Sequence, residues 1–300
     1  MFRIFVLLAL SLGFATPGLA RTYPRPLRIA VLDFGKTPTG LRFGDQLATL
    51  LTASPSLEEF QTLDRDQTRA AALGAGYLGS INMTLQEARD LASVIGCDFF
   101  FTGDAQTLRR SPSEGPAFFE SYAAIYLVSG RTGKLVSWQR ISVVQPNFQD
   151  AEKALLPTLK MPQFATSYQK IIKQAQAEES AQRASAVETR TPVIEIMSDD
   201  QVDSNGEVRP PKPFRRLKPP YPETAARTEV EAIVDVLVDI DARGEVVHAE
   251  IARWAGYGLD ESVLDTVKQM HFFPAMRQGV ATPMRVLLRY NFRKPPKTNQ

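Results

Sequence analysis

Few residues of this 300-residue chain are spaced for chemistry, and those few point away from catalysis. Gly74-Ala75-Gly76-Tyr77-Leu78-Gly79 has the spacing of a dinucleotide-binding glycine loop. Such a loop needs a strand before it and a helix opening on it, so that backbone N–H groups meet the pyrophosphate. Here a helical pattern precedes the glycines and the next helix begins only near Thr84, so the run reads as a flexible loop. The histidines, His248 and His271, stand apart and have no cysteine partners, which leaves zinc without a ligand set. His248 reads as an exposed strand residue and His271 as a packing or surface residue. Asp98 and Asp104 flank a strand pattern, but paired carboxylates act only when they meet in space, which spacing alone does not show. No serine lies in a nucleophile elbow. The single cysteine, Cys97, has no partner for an internal disulfide, and beside Phe99-Phe100-Phe101 it reads as a small buried hydrophobe. No catalytic residue, metal site or cofactor is expected, and the chain reads as non-enzymatic.

The elements around these residues suggest two domains, as the length does. Apolar residues make up 44% of the chain, a globular proportion, and the formal net charge of +2 gives no field for nucleic acid. Residues 1–20 read as a secretory signal: Arg3, the apolar run Ile4–Leu12, then small residues up to Ala20, with cleavage expected after it. The apolar run is short of the ~20 residues a spanning helix needs. The rival reading is an uncleaved N-terminal anchor.

Residues 21–146 read as an α/β domain with a mixed sheet. Arg28–Phe34 suits a buried strand, Leu41–Ala53 a helix, Phe60–Leu63 a second strand, and Asp66–Leu73 a helix capped by Asp66 and stopped by Gly74. Thr84, Glu87 and Gly96 bracket another helix with a capping box and a glycine stop. Asp98–Thr107 reads as a strand, and Phe118–Val128 with Leu135–Val144 as a hairpin. Residues 147–186 read as a helical extension interrupted at Pro157 and Pro162. Its stripe Phe164, Tyr168, Ile171 and Ala175 is expected to dock on the first domain. Residues 187–220 read as a proline-rich basic linker, a stiff spacer. Arg209, Lys212, Arg215, Arg216 and Lys218 stand in it with no acid among them, as solvated linker charges or a weak contact for phospholipid headgroups or cell-wall polymer. Residues 221–300 read as an α+β domain of order αββαβ. Val234, Val236, Val238 and Ile240 face one way, and Asp235, Leu237 and Asp239 the other.

Tyr221-Pro222 with Ala225, the turn at Gly244, Gly256 and Gly258 before Leu259-Asp260, Phe272-Phe273-Pro274-Ala275, then Gly279 and Pro283 follow one another in order over this stretch. On these motifs residues 221–293 resemble the TonB C-terminal family. Ala232 stands where the family often has glycine. The resemblance implies recognition by strand addition, an extended peptide from an outer-membrane receptor pairing beside the last strand. Arg285, Leu287, Arg289, Asn291 and Arg293 are then the outward positions on that strand, and its arginines equally suit a guard against aggregation. The same module could pair with a second copy. Energy-transducing members of the family keep an uncleaved membrane helix containing a histidine, and this chain shows neither. An accessory or adaptor role is therefore expected, with a small-ligand sensor as a further alternative predicting a pocket near Gly35–Gly44 or Gly103–Ser113.

The first domain carries Ile29–Phe34, Gly44-Asp45 opening a helix, Leu63-Asp64-Arg65, Gly96-Cys97-Asp98 and Thr102-Gly103. On these motifs residues 27–146 resemble the exported α/β domains of the TolB N-terminal and CsgG/FlgO type. That resemblance implies envelope assembly rather than catalysis.

Overall fold

The computed structural model describes residues 25–54, 59–188 and 208–294. The expected signal, residues 1–20, and the acidic stretch Ser198–Gly206 lie outside them. No helix among the described residues is long and apolar enough to cross a membrane.

The first unit runs β1 (Leu27–Val31), α1 (Pro38–Thr52), β2 (Phe60–Thr62), α2 (Arg65–Gly74), α3 (Leu85–Ile95), β3 (Phe99–Arg110), β4 (Phe118–Ser129) and β5 (Leu135–Gln145). It continues through α4 (Phe148–Leu155), a 3-10 turn at Leu156–Leu159 and α5 (Met161–Glu188). The sheet order is β2-β1-β3-β4-β5; β1 is parallel to β2 and β3, and the rest pair antiparallel. This is the mixed sheet the pattern predicts.

The capping box at Thr84 and Glu87 forms, and Gly96 closes α3 in the left-handed conformation. Three local expectations shift. Asp64 rather than Asp66 caps α2, because its carboxylate accepts from Gln67 N. Gly44-Asp45 lies inside α1 instead of opening it, since Thr37 caps the helix and Pro38 starts it. Pro162 stands in the first turn of α5, where its missing N–H leaves no bond unmade, so it does not interrupt that helix.

β4 is buried continuously from Ser121 to Ser129, so both faces of the sheet are covered. One face, with Val31, Phe101, Ile125 and Leu127, packs on Phe43, Leu47 and Leu51 of α1 and on Phe164, Tyr168, Ile172 and Ala175 of α5. The expected α5 stripe therefore docks, with Ile172 at its centre and Ile171 on its flank. The other face, with Ala30, Phe100, Ala124, Tyr126 and Val128, is covered partly by α3 and partly by the second unit.

That second unit begins with the strap β6 (Val208–Arg209) and β7 (Lys212–Pro213). It continues through α6 (Glu223–Thr228), β8 (Ala232–Ile240), β9 (Val246–Arg253), α7 (Leu259–Val267), β10 (Phe272–Phe273), β11 (Ala275–Arg277), β12 (Val280–Thr282) and β13 (Met284–Phe292). Its main sheet has the order β13-β8-β9. Val234, Val236, Val238 and Ile240 bury against Leu259, Val263, Val267 and Met270, giving the two-layer arrangement expected of the pattern. The strap departs from the spacer reading. β6 pairs with β11 and β7 with β10, while Val208 and Leu217 pack on the core. Proline is tolerated in such edge pairing because it lacks only a donor.

The two units share one core. Trp254, 1% exposed, stacks on Tyr126 with ring centroids 5.9 Å apart, and its indole donates to Gly133 O at 3.1 Å. Tyr257 packs edge-on against the same Tyr126. Gly256 makes this approach possible: its φ is +72°, and a Cβ there would sit 2.2 Å from the Tyr126 ring. Asn82 of the first unit bonds to β8 and to the loop after β9. Its amide donates to Ile233 O and Trp254 O, both at 2.7 Å, and its carbonyl accepts from Ile233 N at 3.0 Å. Arg253 donates back to Asn82 O at 2.9 Å, and Lys134 pairs with Glu250 at 2.6 Å.

Candidate partner-binding edge

β13 ends its sheet. One side pairs with β8 from Met284↔Ile240 to Phe292↔Ala232, and the other pairs with no strand among the described residues. An edge of nine residues therefore carries backbone N–H and C=O groups that another strand could take up. Met284, Val286 and Phe292 face the core and hold the strand in place.

The other face carries Arg285, Leu287, Arg289, Asn291 and Arg293. Arg285 grips Asp239 through two bonds of 2.5 and 2.7 Å, and Arg289 grips Asp235 at 2.7 and 3.0 Å. Arg253 of β9 reaches the same Asp235 at 3.4 Å. Asp235 is only 4% exposed beneath these guanidinium groups. Planar, two-point pairing fixes geometry as well as charge. The bond from Arg285 holds the Asp239 carboxyl below its usual range, against a smaller opposing effect of burial. Two of the three arginines thus reach inward across the sheet to β8 and tie the strands together. Leu287 stands opposite Leu237, and Asn291 and Arg293 are exposed near the end of the strand.

The remaining predicted motif residues support this sheet from behind. Gly244, at φ +88°, lies so close to Phe272 that a Cβ would meet its carbonyl at 1.8 Å. Phe272 N donates to Gly244 O at 2.9 Å, and the Phe272 side chain is buried while Phe273 is exposed. Pro274 separates β10 from β11, Ala275 is buried, and Gly279 turns the chain between β11 and β12. Tyr221 donates to Val230 O at 2.5 Å, Pro222 stands just before the first turn of α6, and Ala225 is buried. Leu259 is buried in α7. Asp260 accepts from Ala255 N and Gly256 N, both at 2.8 Å. Burial pushes its carboxyl up to about 7, against the pull of those two donors. Asp260 therefore shapes the loop that carries Trp254 and Tyr257 into the first unit. His248 is exposed on β9, and His271 bonds to Glu245 at 3.0 Å.

Residues 218–293 match the family described as the Gram-negative bacterial TonB protein C-terminal. This C-terminal unit is a TonB C-terminal domain. The match covers about a quarter of the chain. Among solved structures, the TonB C-terminal domain of Pseudomonas aeruginosa is 19% identical, covers 35% of this chain and 99% of its own, and gives a TM-score of 0.27. The LpoB C-terminal domain from Salmonella enterica is 14% identical, with 41% and 87% covered and a TM-score of 0.29. Lipoprotein GNA1162 from Neisseria meningitidis is 17% identical, with 47% and 99% covered and a TM-score of 0.32. Scores this low say nothing about function. No protein of curated function matches the chain.

The TonB-like domain meets the first unit along β9 and the loop after it, and it keeps β13 on the far side of its sheet. Asn82 and Trp254, which make the junction, are absent from the residues that sequence reasoning singles out. Two clefts flank the junction and the first unit. One of about 590 Å³ lies where the start of β5 faces β9 and α7, with Trp138, Trp254, Glu250 and Glu261 in its walls. Another of about 370 Å³ lies at the end of β1, lined by Asp33, Gly35, Lys36, Arg69, Tyr77 and Gly79. Burial raises the Asp33 carboxyl there, but the bonds from Arg69 and Arg65 outweigh it and hold the group below its usual range.

Proposed function

We propose that this is an exported, non-enzymatic adaptor of the cell envelope whose TonB-like domain captures an extended peptide on the free edge of β13. One observation carries the reading: a nine-residue strand within the family match pairs on one side only among the described residues. Backbone bonds along such an edge give affinity, and pockets for alternate side chains give selectivity. The Asp235 and Asp239 pairs favour it, because they fix β13 before any partner arrives and so lower the ordering cost of binding. A receptor segment of the outer membrane is the partner the family suggests. A second copy of the chain could occupy the same edge. The first unit, with its resemblance to exported assembly domains, would hold the TonB-like domain at a fixed orientation.

A membrane-anchored energy transducer is the rival within the same family. Intact mass and fractionation of the protein from its native envelope separate the two. The adaptor predicts a chain beginning at Arg21 in the periplasmic fraction; a full-length chain in the inner-membrane fraction would favour the transducer. A sensor reading has one observation in its favour, the cleft at Gly35. It lies beyond the carboxyl end of β1, where neighbouring connections leave in opposite directions, a common ligand position in such sheets.

A further inference from the structure

We propose that the outer face of the strap is a docking surface for an anionic phospholipid bilayer. The strap has two sides. Val208 and Leu217 turn inward onto the core. Arg209, Lys212, Phe214, Arg215 and Lys218 turn outward and are exposed. Phe214 is 60% exposed and Phe273, on the neighbouring β10, is 58% exposed. Their rings meet edge to face at 4.2 Å, so they form one apolar projection. The register holds this projection among cations, since Phe273 lies opposite Lys212.

No acidic residue occurs from Arg209 to Pro222. Carboxylates beside the strap belong to other elements. Glu245 is engaged by His271, whose carbonyl accepts from Phe214 N, and Asp265 lines a groove with Arg215 and Lys218. The surface is therefore positive and apolar at once. The edge-to-face contact holds the two rings together but leaves most of both in water, and paired aromatics at the water boundary suit a site that is dry at one end. Cations attract the negative surface potential of anionic lipid, and aromatic rings enter the headgroup boundary. An anionic bilayer meets both features without a dedicated pocket, its headgroups taking the charges and its headgroup boundary the rings. The surface is separate from the β13 edge, so its test does not depend on peptide capture.

The test is sedimentation with vesicles, with and without phosphatidylglycerol, using protein purified as it occurs in the envelope. Wild-type protein should bind the anionic vesicles about tenfold or more better than zwitterionic ones. The Arg215→Glu, Lys218→Glu variant should lose that preference. The Phe214→Ser, Phe273→Ser variant should bind severalfold more weakly at high salt, where charge is screened. Both variants should stay folded with cooperative melting, since these side chains lie outside the core and the serine variant loses only the exposed ring pair. Equal binding to both vesicle types, no binding, or binding indifferent to both variants would overturn the proposal. Loss of vesicle binding with retained capture of an acidic protein would assign the patch to a protein instead.

Discussion

Trp254→Ala is expected to lower the stability of the chain by about 3–5 kcal/mol, the cost of removing a large aromatic from a closed core. Trp254 is almost fully buried, stacks on Tyr126, and gives its indole N–H to Gly133 O. Truncation opens a cavity between the two units and leaves that carbonyl without its donor. Because the residue joins the units, urea unfolding should change shape as well as midpoint. The wild-type chain should unfold in one transition, and the variant should show a separate earlier loss of the TonB-like domain or its junction. A single transition shifted by less than about 0.5 kcal/mol, within the range of surface substitutions, would mean that the units are not coupled through this residue.

Asn82→Ala should cost on the order of 3 kcal/mol, because each buried group left unpaired costs about 1–3 kcal/mol. Three backbone groups lose their partner: Ile233 N–H, Ile233 C=O and Trp254 C=O. Asn82→Asp should be at least as damaging, since a carboxylate presents oxygens to two carbonyls where the amide presents hydrogens. Hydrogen exchange locates the effect. Exchange at Ile233 should rise in both variants while the β4 amides keep their protection. Uniform loss of protection across both units would place Asn82 in the global fold rather than at the junction.

The TonB-like domain was largely legible because its information is local. The alternation of Val234 to Ile240, the stop at Pro274 and the glycine at Gly244 each act within a few residues of themselves. The αββαβ order follows from them. The first unit was legible for the same reason at Thr84, Glu87 and Gly96. The junction was not, because Asn82 meets Ile233 and Trp254 across more than a hundred and fifty positions. One signal was present. Tyr122 to Val128 is apolar without alternation, which demands cover on both faces, and α5 with α1 fills only one. A tryptophan in a glycine-rich loop, Trp254-Ala255-Gly256, was a candidate for the missing cover.

The edge shows the same limit. Arg285 and Arg289 were placed on the correct face by period-two alternation, and Asp235 and Asp239 on the matching face of β8. Pairing them needs the register, which alternation does not fix. The strap failed as a spacer for a related reason. Its prolines exclude helix and central strand, but they leave open whether an extended segment stands free or lies along an edge.

Site-specific photo-crosslinking in the native envelope tests the central claim most directly. A photoreactive residue at Asn291 or Arg293 reports on the β13 edge, and one at Val247, exposed on β9, serves as the control. Strand addition at β13 predicts one discrete adduct with another envelope protein from Asn291 and Arg293, at and just beyond the end of β13, and none from Val247. Adducts of equal yield from all three positions, or none from Asn291 and Arg293, would contradict peptide capture at this edge.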